Sequence, residues 1–189
     1  MQNAIILHGR PTRAEYYSKA AASMSNSHWL PWLQNQLLTR DIFAVTPEIP
    51  LSYEPVWERW TREVERYDIT PDTMLVGHSC GGGFWVRYLS EHPELTVGKV
   101  VLVAPWIDVE QDDSNGFFDF TLDPGLVART RNLAIFHSID DAPEIQTSVK
   151  KLRDALPGVT YKEFTGLRHF TTEKLPDNAF PELLRELLR

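Results

Sequence analysis

Six short runs of strand-forming residues alternate with longer stretches of helical periodicity, and this alternation constrains the fold more than any other feature. Polar residues, Gly or Pro bound each run, as is typical of short strands. We predict strands over Ala4–Leu7, Ile42–Val45, Met74–Val76, Val100–Val103, Ala134–Phe136 and Thr160–Phe164. The helical stretches are "WLPWLQNQLLT", "PVWERWTREVERY", "GGFWVRYLSEH", "TSVKKLRDAL" and "FPELLRELL". The pattern predicts an α/β protein whose parallel sheet has helices on both faces.

The connections between such strands predict where an active site would lie. Right-handed crossovers produce a doubly wound six-stranded sheet, and ligands bind at the carboxyl ends of its strands. The chain has 189 residues, 42% of them apolar, which is enough to bury one substantial core. We therefore expect a single domain over residues 1–189, with its active site at that edge.

Composition argues against several kinds of partner. The chain has 26 acidic and 19 basic residues, a net charge of -7, and no cluster of Lys and Arg, so we expect no nucleic acid partner. No apolar run has the length of a membrane span, and the N-terminal "MQNAIILHGR" lacks the basic region of a secretion signal. Cys80 is the single cysteine, which excludes an intrachain disulfide. We expect a cytoplasmic protein with no membrane contact, metal or cofactor.

The segment "TMLVGHSCGGGF" contains the most specific motif in the chain. Gly77-His78-Ser79-Cys80-Gly81 fits the G-x-S-x-G nucleophile elbow, with a predicted strand before it and a predicted helix after it. This context favours a catalytic Ser79 over a glycine-rich loop that contains a serine by chance. The N–H of Cys80 would then be one oxyanion donor at a helix N-terminus. We interpret the Cys80 thiol as a packed side chain and His78 as a structural hydrogen-bonding group.

A serine hydroxyl becomes a strong nucleophile only when a base accepts its proton and an acid orients that base. In this architecture the acid and then the histidine follow the serine along the chain. Asp140 and Asp141 follow the fifth predicted strand, and His169 follows the sixth. We therefore predict His169 as the base and one of the two aspartates as the acid.

Two other strand ends could contribute to the site. A backbone N–H just after "HG" in the first loop is the expected second oxyanion donor. Gly9 and Arg10 are the candidates, the N–H of Arg10 is favoured, and a simple glycine turn is the alternative. Gly9 and Trp106 could also contact substrate, although an aromatic side chain after the fourth strand is as often part of the core.

Residues 106–122, "WIDVEQDDSNGFFDFTL", have neither strand nor helical periodicity and are long for a connection in such a fold. One interpretation is a small lid over the site. The other is a surface excursion in which Phe117, Phe118 and Phe120 pack back onto the core.

Several segments together resemble one family: "LHG", "HWLPWLQNQL", "VTPEIP", "VGHSCGG", "VLVAPW", the Asp-Asp loop and "HF". They resemble the small, nearly capless α/β-hydrolases that include the retinoblastoma-binding serine hydrolase of animals and its bacterial relatives. The resemblance covers essentially the whole chain and is most specific over residues 28–93. It implies a minimal six-stranded hydrolase core that cleaves small acyl esters or amides.

The resemblance also implies a triad of Ser79, an acid and His169. In the family the second of the paired acids is the triad member, which favours Asp141 and leaves Asp140 as the alternative. The family commonly has Gly where this chain has Arg168. This cation could hold a substrate carboxylate, but we expect it to be solvated.

The motifs and the resemblance are compatible with two functions. The first is a serine hydrolase, with carboxylesterase, amidase and thioesterase activities as variants and a small acyl compound as substrate. The second is a protein-interaction module on a hydrolase scaffold, because a fold does not dictate function. The retinoblastoma-pocket motif L-x-C-x-E is absent, since the only cysteine lies within "HSCGG".

Overall fold

The computed structural model describes residues 2–111 and 115–189, except for the side chain of Pro176. Six strands form one parallel sheet with the order β2-β1-β3-β4-β5-β6. The strands are β1 (Asn3–Leu7), β2 (Phe43–Val45), β3 (Met74–His78), β4 (Val97–Val103), β5 (Thr130–Ser138) and β6 (Thr160–Phe164). The α-helices are α1 (Arg13–Tyr16), α2 (Leu30–Leu38), α3 (Trp57–Val64), α4 (Cys80–Glu91), α5 (Pro143–Ala155) and α6 (Pro181–Leu188). The predicted fold class is confirmed.

Several boundaries differ from the prediction. The strand β5 begins four residues before Ala134 because polar residues at its start pair with β4, a tertiary effect that periodicity does not register. The helix α5 begins at Pro143 rather than at Thr147, since proline suits the first helical turn. The short helix α1 was not predicted, although its capping box between Thr12 and Glu15 is visible in the sequence.

The helices divide between the two faces of the sheet. The chain leaves β1 toward β2 and then returns to β3 on the other side of β1, so right-handed crossovers place α2 opposite α3 and α4. The ring centroids of Trp29, which precedes α2, and Phe180, which precedes α6, lie 6.0 Å apart. On the other face, the ring centroids of Trp60 in α3 and Phe84 in α4 lie 5.6 Å apart. The switch of direction at β1 places the loops after β1 and β3 next to each other, where ligands of such sheets bind.

The central strands supply much of the hydrophobic core. All five residues of β3 are buried, as are six of the seven residues of β4. Within the described part of the chain, no helix is both long and apolar enough to cross a membrane.

Candidate active site

The backbone at Ser79 makes the sharp turn that the elbow motif predicts. Ser79 lies between β3 and α4 with φ 53° and ψ -118°, a conformation that is costly for a residue with a side chain. Two close approaches explain the flanking glycines. A Cβ atom on Gly77 would lie 2.4 Å from the carbonyl oxygen of Gly81, and one on Gly81 would lie 2.4 Å from the carbonyl oxygen of His8. The turn therefore requires glycine at both outer positions of the motif.

Hydrogen bonds from three segments hold the backbone of Ser79. Its N–H donates to the carbonyl oxygen of Val103 at the end of β4, at 2.9 Å. Its own carbonyl oxygen accepts from the N–H groups of Gly83 and Trp106, both at 3.1 Å. The strained turn is thus tied to its own helix and to the neighbouring strand end.

The structure pairs His169 with Asp141 and not with Asp140. The Nδ1 atom of His169 lies 2.9 Å and 3.1 Å from the two carboxylate oxygens of Asp141. The Asp141 side chain is only 2% exposed, whereas that of His169 is 31% exposed. Since a carboxylate can only accept, Nδ1 carries a proton, and in the neutral form of this ring Nε2 is the nitrogen that can accept one.

Asp140 stabilises the loop that carries the histidine. Its Oδ1 atom accepts hydrogen bonds from the hydroxyl of Ser138 and from the backbone N–H groups of Gly166 and Arg168. The Ser138 hydroxyl, with smaller help from these N–H groups, lowers the pKa of the Asp140 carboxyl. Adjacent aspartates therefore have separate contacts, one with the histidine ring and one with its loop. The side chain of Arg168 is exposed, as expected.

A second network supports the Asp141 loop from the strand side. The Tyr161 hydroxyl and the Gln146 amide oxygen contact the two ring nitrogens of His137. The Gln146 amide then donates to the carbonyl oxygens of Ser138 and Asp141, at 3.0 Å and 3.3 Å. The role of Gln146 was not predicted from the sequence, in which its only signal is its position in the first turn of a helix after the acidic pair.

His78, next to the serine, contacts the histidine loop. Its Nε2–H donates to the carbonyl oxygen of His169 at 2.8 Å, and the two rings lie 4.9 Å apart. Burial, followed by repulsion from His169 and His28, lowers the pKa of His78 well below its usual value. His78 is therefore a neutral hydrogen-bond donor, in agreement with the structural role predicted for it.

The first loop passes directly beside the serine. A Cβ atom on Gly9 would lie 3.0 Å from Cβ of Ser79 and 3.6 Å from its hydroxyl oxygen. Nδ1–H of His8 donates to the Gly9 carbonyl oxygen at 2.7 Å, and Nε2 accepts from Ile49 N–H at 3.0 Å. A side chain at position 9 would therefore crowd the Ser79 hydroxyl, and Arg10 follows at the cavity wall.

The two predicted oxyanion donors differ in burial, since Cys80 is fully buried and Arg10 is half-buried. Cys80 is fully buried, and burial raises the pKa of its thiol far above the usual value, so its side chain is a packed group as predicted. Its position as the first residue of α4 aims its N–H away from the helix body. The guanidinium of Arg10 lies over the Trp106 ring, 4.6 Å from its centroid.

Two cavities of about 680 Å³ each meet at Ser79 and His169. One, here called the Trp106 cavity, lies between the loops after β4 and β5, and Trp106, Asp108 and Ile145 contribute to its wall. The other, here called the Tyr16 cavity, lies under the loop after β1. Its wall includes Tyr16, Met24, His28, Glu48 and His78. The candidate nucleophile and base thus lie where two separate spaces could hold two parts of one substrate.

Trp106 and the segment after it combine the alternatives left open by the sequence. Trp106 lines its cavity and also packs edge-on against Phe118, 5.3 Å away. Phe117 and Phe118 are buried and Phe120 packs against the core, which favours the surface excursion over a lid in the described part of the segment. The three residues at 112–114 lie outside the described residues.

Across 2–111 and 115–189, no group of three or more His, Cys, Asp or Glu side chains is arranged to hold a metal ion.

Known proteins resemble this chain in sequence and in fold. YdeN of Bacillus subtilis (strain 168), described as a putative hydrolase, is 27% identical over 182 residues, which cover 91% of each chain. The crystal structure of the ydeN gene product superposes with a TM-score of 0.82 at 22% identity, covering 100% of this chain and 97% of that one. Est1E of Butyrivibrio proteoclasticus, solved with ferulic acid bound, superposes at 0.67 and 12% identity, covering 100% and 88%. The two superpositions identify an α/β-hydrolase fold. The family model described as serine hydrolase matches residues 21–146, and the chain therefore belongs to the serine hydrolase family.

Proposed function

We propose that this protein hydrolyses small acyl esters or amides through an acyl-enzyme intermediate on Ser79. The observation that carries the proposal is the contact between His169 Nδ1 and the buried Asp141 carboxylate, beside a serine on a strained strand-to-helix turn. A buried carboxylate fixes the imidazole tautomer and stabilises the imidazolium that forms during reaction. This combination favours a catalytic role for Ser79 over a glycine-rich loop that contains a serine by chance.

The proposed reaction has two stages. Ser79 attacks the substrate carbonyl carbon while His169 Nε2 accepts the hydroxyl proton, and the same proton then passes to the leaving alcohol or amine. In the second stage water attacks the acyl carbon while His169 Nε2 accepts its proton. The proton then passes to the Ser79 oxygen, the acyl bond to Ser79 breaks, and the acid is released. In each stage the backbone N–H groups of Cys80 and Arg10 would donate to the carbonyl oxygen as it becomes negative.

The two cavities support a substrate with two modest substituents. Because both spaces reach Ser79 and His169, one could hold the acyl group while the other holds the leaving group. Gly9 and Trp106 would contact the substrate on either side of the reacting carbonyl. We place the enzyme among the small, nearly capless members of its family, and the single buried Cys80 agrees with a reducing, cytoplasmic setting.

Covalent labelling tests the proposal directly. A fluorophosphonate probe should add once to the wild-type protein, at the peptide that contains Ser79, by intact mass and peptide mapping. Ser79→Ala and His169→Ala should lose the adduct and should lower turnover of a p-nitrophenyl ester by at least about a thousandfold. A matched control is His92→Ala at the opposite end of α4, which should label normally. A folded wild-type protein without an adduct, or an active Ser79→Ala variant, would contradict the proposal.

A further inference from the structure

His28 lies in the wall of the Tyr16 cavity, together with Ser79 and His169. It occupies the loop before α2, with φ 56° in the left-handed region. Neither the elbow motif nor the triad order involves it. Its ring lies 5.7 Å from the ring of His78, which in turn lies 4.9 Å from that of His169. Three imidazoles therefore follow one another along this side of the candidate site.

Hydrogen bonds determine which nitrogen of His28 carries the proton. The backbone N–H of Thr172 donates to Nδ1 at 3.3 Å, and the Thr172 hydroxyl lies 3.2 Å from the same atom. A backbone N–H can only donate, so Nδ1 must be the acceptor. The neutral ring of His28 therefore carries its proton on Nε2.

The surroundings of His28 keep this ring neutral. Burial, followed by repulsion from His169, lowers the pKa of His28, and Glu15 opposes this shift only weakly. Among the residues that the structure describes, Thr172 is the one hydrogen-bonding partner of the ring, and it contacts only Nδ1. His28 thus has a neutral donor that no described protein group uses, on a ring that borders the cavity beside the nucleophile.

We propose that His28 is a specificity-determining residue whose Nε2–H donates to an oxygen of the substrate in the Tyr16 cavity. This inference rests on the proposed hydrolysis at Ser79. It assigns to the enzyme a preference for substrates with an ether, hydroxyl or carbonyl oxygen in the part that lies beside His28. A purely alkyl group there leaves a partly buried N–H without an acceptor, which disfavours its binding.

Two pairs of isosteric esters test this preference. The acyl pair is the p-nitrophenyl ester of 3-methoxypropanoic acid against that of pentanoic acid, and the alcohol pair is 2-methoxyethyl against butyl butanoate. For each pair the ratio of kcat/KM, ether over alkyl, is measured in the wild type, His28→Phe and His28→Gln. Phenylalanine keeps a ring but removes the donor, and glutamine keeps an N–H donor.

The expected result is a fall in the ratio of about two- to tenfold in His28→Phe for the pair whose variable part enters the Tyr16 cavity. His28→Gln should retain most of the preference, and His92→Phe, on the far end of α4, should retain all of it. If His28 served only to hold Thr172, both esters of a pair would lose kcat/KM equally and neither ratio would change. Unchanged ratios in His28→Phe for both pairs would overturn the inference.

An observation that needs no turnover separates this inference from the proposed function. In Ser79→Ala, the imidazole ¹⁵N spectrum should show the proton of His28 on Nε2. Addition of the two ether esters should shift the His28 Nε2 resonance for at least one of them, while the alkyl esters leave it in place. A proton on Nδ1, or no shift with either ether ester, would overturn the inference even if Ser79 is the nucleophile. If the wild-type protein is folded but takes no fluorophosphonate adduct, a selective shift in Ser79→Ala would still uphold the contact with His28 and would reject the hydrolytic proposal.

Discussion

The loop that carries Ser79 and the loops that carry Asp141 and His169 are held in place by different interactions. Around Ser79 the constraints lie in the backbone, because its hydrogen bonds are between backbone groups and because Gly77 and Gly81 stand where any Cβ atom would meet backbone at 2.4 Å. Around His169 the constraint is a set of hydrogen bonds from side chains to backbone, made by Asp140 and His78.

This difference explains why the turn at Ser79 could be predicted from the sequence and the contacts of the His169 loop could not. A steric constraint on five consecutive residues leaves a local motif in the sequence, and the elbow is such a motif. A hydrogen-bond network between residues far apart in the chain leaves no comparable pattern. His78 and His169 are 91 positions apart, and Asp140 and Arg168 are 28 apart. The comparison leads to three further predictions, which differ in the size of the expected effect.

The largest effect should come from replacing the acid. Asp141→Asn keeps the side-chain shape but removes the carboxylate that orients His169, so kcat for a p-nitrophenyl ester should fall by about 10³- to 10⁴-fold. Asp140→Asn is the matched control, because an amide oxygen can still accept from Gly166 and Arg168, and its kcat should fall by less than about tenfold. Equal losses in the two variants, at equal Tm, would mean that the adjacent aspartates do not differ in role.

A smaller effect is expected from crowding the elbow. In Gly81→Ala the new Cβ would meet the His8 carbonyl oxygen at 2.4 Å and Leu7 at 2.9 Å, so the elbow or β1 must shift. The free energy of unfolding in urea should fall by about 1–3 kcal/mol, and ester turnover should fall with it. Gly125→Ala, in which the nearest atom is an Asp123 side-chain oxygen at 3.1 Å, should lose less than about 1 kcal/mol and remain active. A Gly81→Ala variant as stable and active as the wild type would remove the steric explanation.

The smallest effect is the contribution of a single buried histidine to stability in acid. Burial lowers the pKa of His8, His28 and His78 in the folded protein, so below pH about 6.5 the unfolded chain binds protons that the folded one does not. The stability due to their burial is therefore present above pH 6.5 and falls as the pH falls toward their folded pKa values. Each such histidine contributes at most about 1.4 kcal/mol per pH unit.

Urea titrations at pH 7.5, 6.5 and 5.5 measure this slope. A His78→Gln variant, which cannot take up the proton, should show a shallower decline than the wild type over this interval. Parallel declines in the two proteins would exclude His78 as a source of the acid sensitivity. Where the pKa of a carboxyl group is shifted, as in Asp140, it is lowered. Such groups therefore affect stability mainly at more acidic pH.

The sequence was sufficient to predict the sheet, the elbow and the strand ends from which the candidate residues come. Those features depend on local periodicity and on the steric requirements of one turn. The choice between Asp140 and Asp141 could not be derived from residue types, because both follow the same strand and only the path of the loop decides which one contacts His169. The surroundings of His28 could not be predicted for a related reason, since its ring contacts Thr172 across 144 positions of sequence.

The place of β6 in the sheet has a consequence for how the protein responds to heat. It is the outermost strand on its side, pairs only with β5, and has no fully buried residue. Local opening costs least at such an edge, so β6 should separate from the sheet in fluctuations that leave β3 and β4 intact, and the loop after it follows only when its hydrogen bonds with Asp140 and His78 break. We therefore expect warming to displace His169 while the core stays folded, and to reduce ester turnover reversibly below the temperature of cooperative unfolding.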